Sequence, residues 1–449
     1  MAQINDMTVG SPSRGILKFA IPIILGYILQ QMYQVIDAVI VGRWVGVNGL
    51  AAVGASTSVM FIIMGFCNGS CAGFAIPVAQ AFGAKDFRKM RCYVANAVRI
   101  AFWMAIVITV VSAMLCTKIL QLINTPQNIF DGAWIFLFLQ FLAIPFTITY
   151  NLLSGFIRAL GDSKQPFYFL IASALVNILL DVVLIMFIGM GVEGAGLATL
   201  LAQLFAASLC VWYILKHMQL LIPKGEEREL DNKRISILLN NGIPMGLQFS
   251  ITGIGSMMLQ SANNALGTVY VASFTAAMRI KYLFTSVYEN TGVAMATYCG
   301  QNLGARNMMR VKQGVKSAVM IMFIFTLFST AVILPFADTM MLLFVNKGEM
   351  EVVSNASQLM RIACLFYVPL GFLTIFRYSI QGLGYSNLSM LSGVMEMIAR
   401  IGVSLWLVPA FGWLGVCSGD PVAWVMADLF LFPAFFWLYA HLKKKMARE

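Results

Sequence analysis

Continuous apolar runs constrain the fold of this chain more than any other feature. Windows of about 20 to 25 apolar residues fit along the 449 residues roughly twelve times, and each is long enough to cross about 30 Å of hydrocarbon. The runs do not alternate with period two, so they cannot be strands of a barrel. Only 11% of the residues are charged, against about 25% in soluble domains. We therefore predict an all-α polytopic membrane protein with twelve transmembrane helices.

The sequence also contains a duplication. The segment from Gln80 to Lys85 recurs 221 positions later, from Gln301 to Arg306, with the shared pattern Gln-x-x-Gly-Ala-Lys/Arg. Four shorter pairs recur at offsets of 221 to 224: Ile21-Pro22 with Ile243-Pro244, Pro145 with Pro369, Leu160-Gly161 with Leu383-Gly384, and Gly191-x-x-Gly194 with Gly412-x-x-Gly415. We therefore predict two six-helix bundles around a central cavity, an organisation found in many secondary transporters.

The apolar windows divide into six and six. They begin near residues 16, 48, 92, 132, 166 and 193, and then near 236, 269, 311, 352, 386 and 415. The hydrophilic stretch from Pro223 to Arg234 separates the two sets and is typical of a linker. We predict an N-terminal bundle over 1–217, a cytoplasmic linker over 218–234 and a C-terminal bundle over 235–449.

Basic residues indicate how the chain lies in the membrane. They concentrate after the second and eighth spans and at the end of the chain: Lys85, Arg88, Lys89, Arg91, Arg306, Arg310, Lys312, Lys316, Lys443 to Lys445 and Arg448. The positive-inside rule places these segments, and therefore both termini, in the cytoplasm, with the protein in the cell membrane. An even number of spans in each half makes the repeat parallel. Because the same loops account for the net charge of +11, nucleic acid is not an expected partner.

Polar side chains in the first span are functional candidates, because a carboxylate in hydrocarbon is costly. Asp37 follows Tyr33 by one helical turn, with Gln34 beside them, so these residues form a polar stripe on an otherwise apolar helix. Asp37 lies near the predicted outer end of the span. The alternative is an interfacial acid that faces water or pairs with Arg43.

The fifth and sixth spans carry further candidates. Asn177 and Asp181 share one face at a spacing of four residues, and Asp181 has no basic residue within a turn of its own helix. Thr199 in the sixth span becomes a plausible oxygen ligand beside two acids. The alternative for Asp181 is a cap on a neighbouring helix.

The second half of the chain contains other charges inside spans. Glu289 lies in the eighth span, and the repeat places it opposite Asn68 in the second. Both are secondary candidates, with a role for Glu289 in recognising substrate charge. Glu396 and Arg400, one turn apart, are most simply an intrahelical ion pair. Asp428 lies in the twelfth span.

Taken together, these features resemble the multidrug and toxic compound extrusion (MATE) family of cation-coupled efflux pumps. The resemblance extends from about Arg14 to Lys445. It rests on the two six-span bundles, on the duplicated segments, on the sequence from Ala159 to Asp162 after the fourth span, and most specifically on Asn177 with Asp181.

The resemblance is closest to the branch of the family that has an acid in the first helix. It implies a cation-coupling site in the N-terminal bundle: Asp37, Asn177, Asp181 and Thr199, the Ala195 carbonyl, and Tyr33, Gln34 and Asn151 as neighbours. Another branch holds its main coupling acids in the C-terminal bundle. The tenth span here carries Arg361 and Arg377 instead of an acid, which favours the N-terminal site.

The resemblance also implies secondary active efflux of bulky, often cationic, drug-like compounds by antiport with protons or sodium. Sodium would suit oxygen ligands, and no other metal or cofactor is expected, because the cysteines and histidines form no ligand pattern. The expected partners are small organic substrates and membrane lipids, and the expected state is a monomer.

Two other classes of protein are alternatives. A lipid or lipid-linked sugar flippase of the same superfamily would present several arginines to a diphosphate, and only Arg99, Arg279 and Arg361 lie away from span ends. An intramembrane enzyme is disfavoured, because Gly-x-Gly-Asp, His-Glu-x-x-His and the Gly-x-x-x-x-Gly-Lys loop for ATP are all absent from the sequence.

Overall fold

Helices make up almost all of the protein in the computed structural model, which describes residues 6–123, 125–343 and 348–448. No strand occurs within those ranges. The first half contains six helices: α1 (Pro12–Ile40), α2 (Val47–Gly83), α3 (Phe87–Leu122), α4 (Phe130–Ala159), α5 (Lys164–Asp181) and α6 (Val192–His217). Residues 1–5 and 449, which belong to the predicted bundles, lie outside the described ranges.

The second half repeats this order with two interruptions. Its helices follow in sequence: α7 (Asn232–Asn264), α8 (Thr268–Gly304), α9 (Met308–Met341), α10 (Met350–Leu365), α11 (Tyr367–Gly382), α12 (Ser386–Gly402), α13 (Val408–Phe411) and α14 (Trp413–Arg448). The predicted tenth span is the pair α10 and α11, which is bent by 55°. The predicted eleventh span comprises α12 and α13. All twelve predicted segments are therefore helical, and each begins within five residues of its expected start.

Not every described helix is apolar enough to be identified as a span by composition. Nine are long and apolar enough to cross a membrane, and the bent pair adds a tenth. The two that fall short are α7 and α8. Charged and uncharged polar residues interrupt the apolar run of α8, among them Arg279, Lys281 and Glu289.

Three helices end in a π-helical turn. These turns are Val41–Val45 after α1, Val182–Phe187 after α5 and Val403–Leu407 after α12. The last two begin 221 residues apart, so the π-helical turn belongs to the duplicated part of each half. The turns after α1 and α5 pack against each other. Because π-helical turns occur often at functional sites, this end of the first half is a candidate location.

The duplicated Gln-x-x-Gly-Ala-Lys/Arg segments are matching joints between helices. Lys85 and Arg306 both adopt the left-handed conformation, with φ of 57° and 56°, which costs a residue other than glycine roughly 1–2 kcal/mol. The next residue caps the following helix in each copy: the side chain of Asp86 accepts from the Lys89 backbone N–H at 2.9 Å, and Asn307 accepts in the same way at the start of α9. The motif therefore fixes a reversal of the chain.

Backbone contacts divide the chain into two compact units. Among the described residues, unit 1 comprises residue 6 and those from 21 to 246, and unit 2 comprises residues 7–20 and those from 247 to 448. The first part of α7 belongs to unit 1 because it packs closely against α2: a Cβ added at Gly242 would lie 2.1 Å from the Phe74 ring. The division into 1–217, 218–234 and 235–449 stays a prediction.

The hydrophilic linker is fixed to unit 1 by an ion pair. Arg91, in the first turns of α3, donates two hydrogen bonds of 2.6 Å to the Glu227 carboxylate. Glu227 is buried, and the Arg91 guanidinium holds the pKa of this carboxyl at about 2, below its ordinary value of 4.5. The neighbouring pair of Arg88 and Glu226, 3.1 Å apart, is exposed. Glu227 therefore anchors the linker.

We expect Glu227→Gln to release the linker. Hydrogen bonds to a charged group contribute about 1.5–3 kcal/mol, so backbone amides around the turn Gly225–Arg228 should exchange with deuterium at least about ten times faster. The depressed pKa stabilises the docked linker above pH 4.5, and this stabilisation is lost as pH falls toward 2. Exchange measured by mass spectrometry should therefore show unchanged protection between pH 5 and 8.

Glu226→Gln is the matched control, because its exposed ion pair should contribute at most about 1 kcal/mol. Equal effects of the two substitutions would contradict this account of the linker.

The segment that precedes α1 is held in unit 2 in a similar way. Arg310 in α9 donates hydrogen bonds of 3.0 to 3.2 Å to the backbone carbonyls of Met7, Val9 and Gly10. The Met7 N–H donates to the Gln301 side chain at 2.9 Å. The third helix of each half thus binds a segment that precedes the first helix of a half: α3 binds the linker before α7, and α9 binds the segment before α1.

Candidate functional site

Asp37 and Asp181 are brought together by the ends of α1 and α5. Asp181 is the last residue of α5 and is 0% exposed, whereas Asp37 lies one turn before the π-helical turn that follows α1 and is half-buried. The two carboxyl groups lie close enough to interact electrostatically. The described residues supply no hydrogen-bond donor to either Asp181 oxygen or to Oδ1 of Asp37.

This pair has a definite chemical requirement. Two neighbouring carboxylates without basic partners cannot both be charged in a buried place unless a proton or a metal cation compensates them. Asp37 and Asp181 therefore form a site that can bind one cationic species. The alternatives raised for each acid alone, an interfacial acid and a helix cap, do not account for their proximity.

Asn177 in α5 and Thr199 in α6 line the same small cavity, together with Tyr33. Asn177 is buried and lies one turn before Asp181. The Thr199 hydroxyl donates to the Ala195 carbonyl at 3.0 Å, a bond that threonine commonly makes within a helix. Its oxygen still has a lone pair for a ligand.

The three residues predicted to neighbour the site have different surroundings in the structure. Tyr33 interacts electrostatically with both acids, whereas Gln34 is exposed. Asn151 instead donates to Asn68 Oδ1 at 2.8 Å and so connects α4 with α2. The roles of these residues in coupling stay predictions.

In the second half, Glu289 accepts a hydrogen bond from the Tyr378 hydroxyl at 3.0 Å. Arg377 and Glu396 lie close enough to interact with it electrostatically. Asp428 is also near Arg377 and Glu396, and its Oδ1 is buried with no hydrogen-bond partner in the described part of the chain. This half therefore also contains buried acids, but basic residues accompany them.

Sequence reasoning identified only part of the charge network in the second half. The predicted pair of Glu396 and Arg400 is confirmed, with 3.3 Å between nitrogen and oxygen. Glu396 also pairs with Arg377, while Arg400 binds Asp420 at 3.0 Å, and Asp420 pairs with Lys281. Three cations and two anions thus form one buried network. Lys281 and Asp420 were missed, although each is a charge inside a predicted span.

One family model matches the chain twice, once in each copy of the sequence repeat. The model of the MatE family matches residues 22–183 and again residues 244–406. The chain belongs to the MatE family. Each copy of the repeat is therefore one MatE unit, and the prediction of a membrane transporter of the MATE family, not an enzyme, is confirmed.

Relatives and solved structures agree with the MatE assignment. The chain is 25% identical to the probable multidrug resistance protein YoeA of Bacillus subtilis, over 97% of this chain and 95% of that protein. It is 30% identical to the probable multidrug resistance protein YpnP of the same organism, over 68% of each chain. An outward-facing multidrug resistance MATE family transporter of the MOP superfamily has the same fold, with a TM-score of 0.92 at 22% identity over 99% of both chains. The predicted fold class is thereby confirmed.

Proposed function

We propose that this MatE protein exports bulky, often cationic, toxic or drug-like organic compounds by antiport, with protons or sodium moving inward. The observation that carries the proposal is the buried pair of Asp37 and Asp181, which requires a compensating cation. The relatives YoeA and YpnP, both named as probable multidrug resistance proteins, support the substrate class. The protein would act in the cell membrane as a monomer, with both termini in the cytoplasm and no cofactor other than the coupling ion.

In the proposed cycle, the coupling ion binds the acid pair from the outside and substrate is released there. Protonation or sodium binding removes the repulsion between Asp37 and Asp181, so α1 and α5 can approach each other. Bending of α1, which contains Pro22 and ends in a π-helical turn, would then convert ion binding into closure of the outward-facing cavity.

The driving force is sufficient for this exchange. One pH unit is worth about 1.4 kcal/mol, and one elementary charge moving through 100 mV is worth about 2.3 kcal/mol. A single ion per substrate could therefore maintain a concentration ratio of tens to hundreds.

The flippase alternative gains no support from its arginines. Arg361 pairs with Asp338 at 2.7 Å, and Arg99 donates to the carbonyl of Arg228. Arg361 is thus already paired within the protein, and one nitrogen of Arg99 is engaged while its Nη1 has no partner among the described residues.

The proposal is tested in liposomes that contain the purified protein and ethidium as the transported probe. The proton gradient and the sodium gradient are imposed in separate experiments. We expect at least one of them to drive ethidium against its concentration gradient, and we expect no such movement without an ion gradient. Transport that follows neither gradient would contradict antiport. Movement of a fluorescent lipid between leaflets, without ethidium transport, would favour the flippase.

A further inference from the structure

Unit 2 contains the counterparts of the three helices that carry the candidate coupling residues of unit 1. The repeat relates α1 to α7, α5 to α12 and α6 to α14. Gly191 and Gly412, which precede α6 and α14, are 221 residues apart, and the π-helical turns after α5 and α12 begin at the same offset. α5 packs against α6, and α12 packs against α14. Positions in the two copies can therefore be compared.

An ion pair lies in unit 2 where unit 1 has candidate coupling residues. Asp420 is the eighth residue of α14, as Thr199 is of α6. Arg400 lies three residues before the π-helical turn of its half, within the segment that corresponds to the turn between Asn177 and Asp181. Arg400 donates to Asp420 Oδ1 through Nη2 at 3.0 Å and through Nε at 3.2 Å. A guanidinium group thus occupies the corresponding part of unit 2.

The counterpart of α1 contacts this region through glycine and leucine. At the offset of 222 residues that relates the Ile-Pro pairs of α1 and α7, Leu259 corresponds to Asp37, and Leu259 is buried. A Cβ added at Gly255, one turn earlier, would lie 3.6 Å from Cδ of Arg400. A Cβ added at Gly419 in α14 would lie 2.4 Å from the Leu259 side chain. An apolar side chain therefore replaces the acid of α1.

The acids of this region of unit 2 already have cationic partners. Lys281 in α8 is buried and pairs with Oδ2 of Asp420. Glu396, one turn before Arg400, pairs with Arg400 at 3.3 Å and also pairs with Arg377. Each of these two acids thus contacts two cations. In unit 1, by contrast, no donor among the described residues reaches the buried carboxylate at the end of α5.

A cation on a side chain differs from a coupling ion because it cannot leave. The guanidinium group of arginine stays charged at every physiological pH and is covalently attached to the chain. A coupling site has to bind an ion from one side of the membrane and release it on the other. The positive charge at Asp420 therefore cannot be exchanged during transport while Arg400 and Lys281 stay in place.

We propose that unit 2 retains a second copy of the cation site, filled permanently by the side chains of Arg400 and Lys281, so that coupling ions bind only in unit 1. The inference rests on the proposed antiport at Asp37 and Asp181. Arg400 and Lys281 supply the positive charge that the coupling ion supplies in unit 1. The number of ions moved in each cycle is then set by unit 1 alone.

Removing both side-chain cations should uncover the second site. The starting protein is Asp181→Asn, which lacks the unit 1 site. Adding Lys281→Met and Arg400→Gln leaves Asp420 without a cation. We expect sodium chloride to raise the unfolding temperature of this triple variant in detergent by several degrees, compared with choline chloride of equal concentration, because a ligand that binds the folded state stabilises it.

Asp420→Asn, added to the triple variant, is the control, because it removes the acid that would bind sodium. The response to sodium should then disappear. A triple variant that unfolds at the same temperature in sodium chloride and in choline chloride would overturn the inference.

Chemical rescue gives a second measurement if the triple variant does not fold. Arg400→Ala leaves a space for a free guanidinium ion beside Asp420 and Glu396. We expect Arg400→Ala to unfold at a lower temperature than wild type, and millimolar guanidinium chloride to restore at least half of the difference. Urea, which has a similar shape without the charge, should restore none of it.

Arg361→Ala is the matched control for the rescue, because Arg361 forms an exposed ion pair with Asp338 in the same unit. Guanidinium should not raise its unfolding temperature. Equal responses of Arg400→Ala and Arg361→Ala to guanidinium would overturn the filled site.

Transport by Asp181→Asn separates failure of this inference from failure of the proposed antiport. If Asp181→Asn still couples ethidium efflux to a proton or sodium gradient, the proposed coupling site itself is wrong. If coupling is lost in Asp181→Asn and the triple variant does not respond to sodium, only the filled site of unit 2 is wrong.

Discussion

Asp181→Asn is expected to abolish ion-driven efflux, lowering the transport rate by at least about 100-fold. The amide keeps the shape of the side chain but can neither release a proton nor compensate a cation. A 100-fold loss corresponds to about 2.7 kcal/mol. The measurement is ethidium transport in liposomes with proton and sodium gradients imposed separately, alongside ethidium binding without a gradient, which should persist.

Glu289→Gln is the matched control for this prediction. Glu289 is also a carboxyl in a span and is half-buried, but it receives a hydrogen bond from Tyr378 and lies near Arg377. Coupled transport should survive its substitution. Transport that survives Asp181→Asn and is lost in Glu289→Gln would move the coupling site to unit 2.

Asp420→Asn is expected to have the largest effect on stability. Asp420 binds both Lys281 and Arg400, and its loss leaves the Lys281 ammonium buried without its carboxylate partner. Breaking a buried ion pair in this way costs about 3–5 kcal/mol. Thermal unfolding of the detergent-solubilised protein should therefore begin at a temperature several degrees lower.

The double variant Lys281→Met with Asp420→Asn identifies the cause. It removes the stranded ammonium, while Arg400 keeps Glu396 as a partner, so we expect it to regain part of the lost stability. Asp338→Asn is the control, because its ion pair with Arg361 is exposed and should contribute at most about 1 kcal/mol. A double variant no more stable than Asp420→Asn would show that the Lys281 charge is not the cause.

The helices could be predicted from the sequence because a long apolar run is a strong indication of a membrane-spanning helix. Long apolar runs and the duplication located all twelve segments. The hydropathy signal was weakest for α7 and α8, where polar side chains contact other helices and interrupt the apolar run. The break between α10 and α11 falls at Phe366, three residues before Pro369, a candidate kink in the sequence, because a proline cannot donate a backbone hydrogen bond to the carbonyl four residues earlier, at Leu365.

The candidate site was predicted only in part, for a related reason. Single acids inside spans were visible from the sequence, and spacing placed Asn177 and Asp181 on one face. The proximity of Asp37 to Asp181 depends on how α1 packs against α5, which no local pattern encodes. The network around Asp420 is formed by four helices, so its pairs lie as many as 139 residues apart in sequence.

The cavity beside Asn177 was beyond sequence reasoning altogether. Ala174 and Ala202 give the same signal as any small residue that lets helices approach. Whether small residues leave a space or close a contact depends on the side chains opposite them. Three-dimensional packing alone distinguishes these cases.

The way Arg310 holds the segment before α1 determines which changes that segment can tolerate. Its hydrogen bonds go to the backbone carbonyls of Met7, Val9 and Gly10, and every amino acid supplies such a carbonyl. The bond to Val9 therefore does not depend on its exposed side chain, whereas Met7 is buried and Gly10 has a φ of 75°, which favours glycine. A deletion of one or two residues would move the carbonyls out of reach. The distance between these carbonyls and the start of α1 therefore constrains the length of the N-terminal segment.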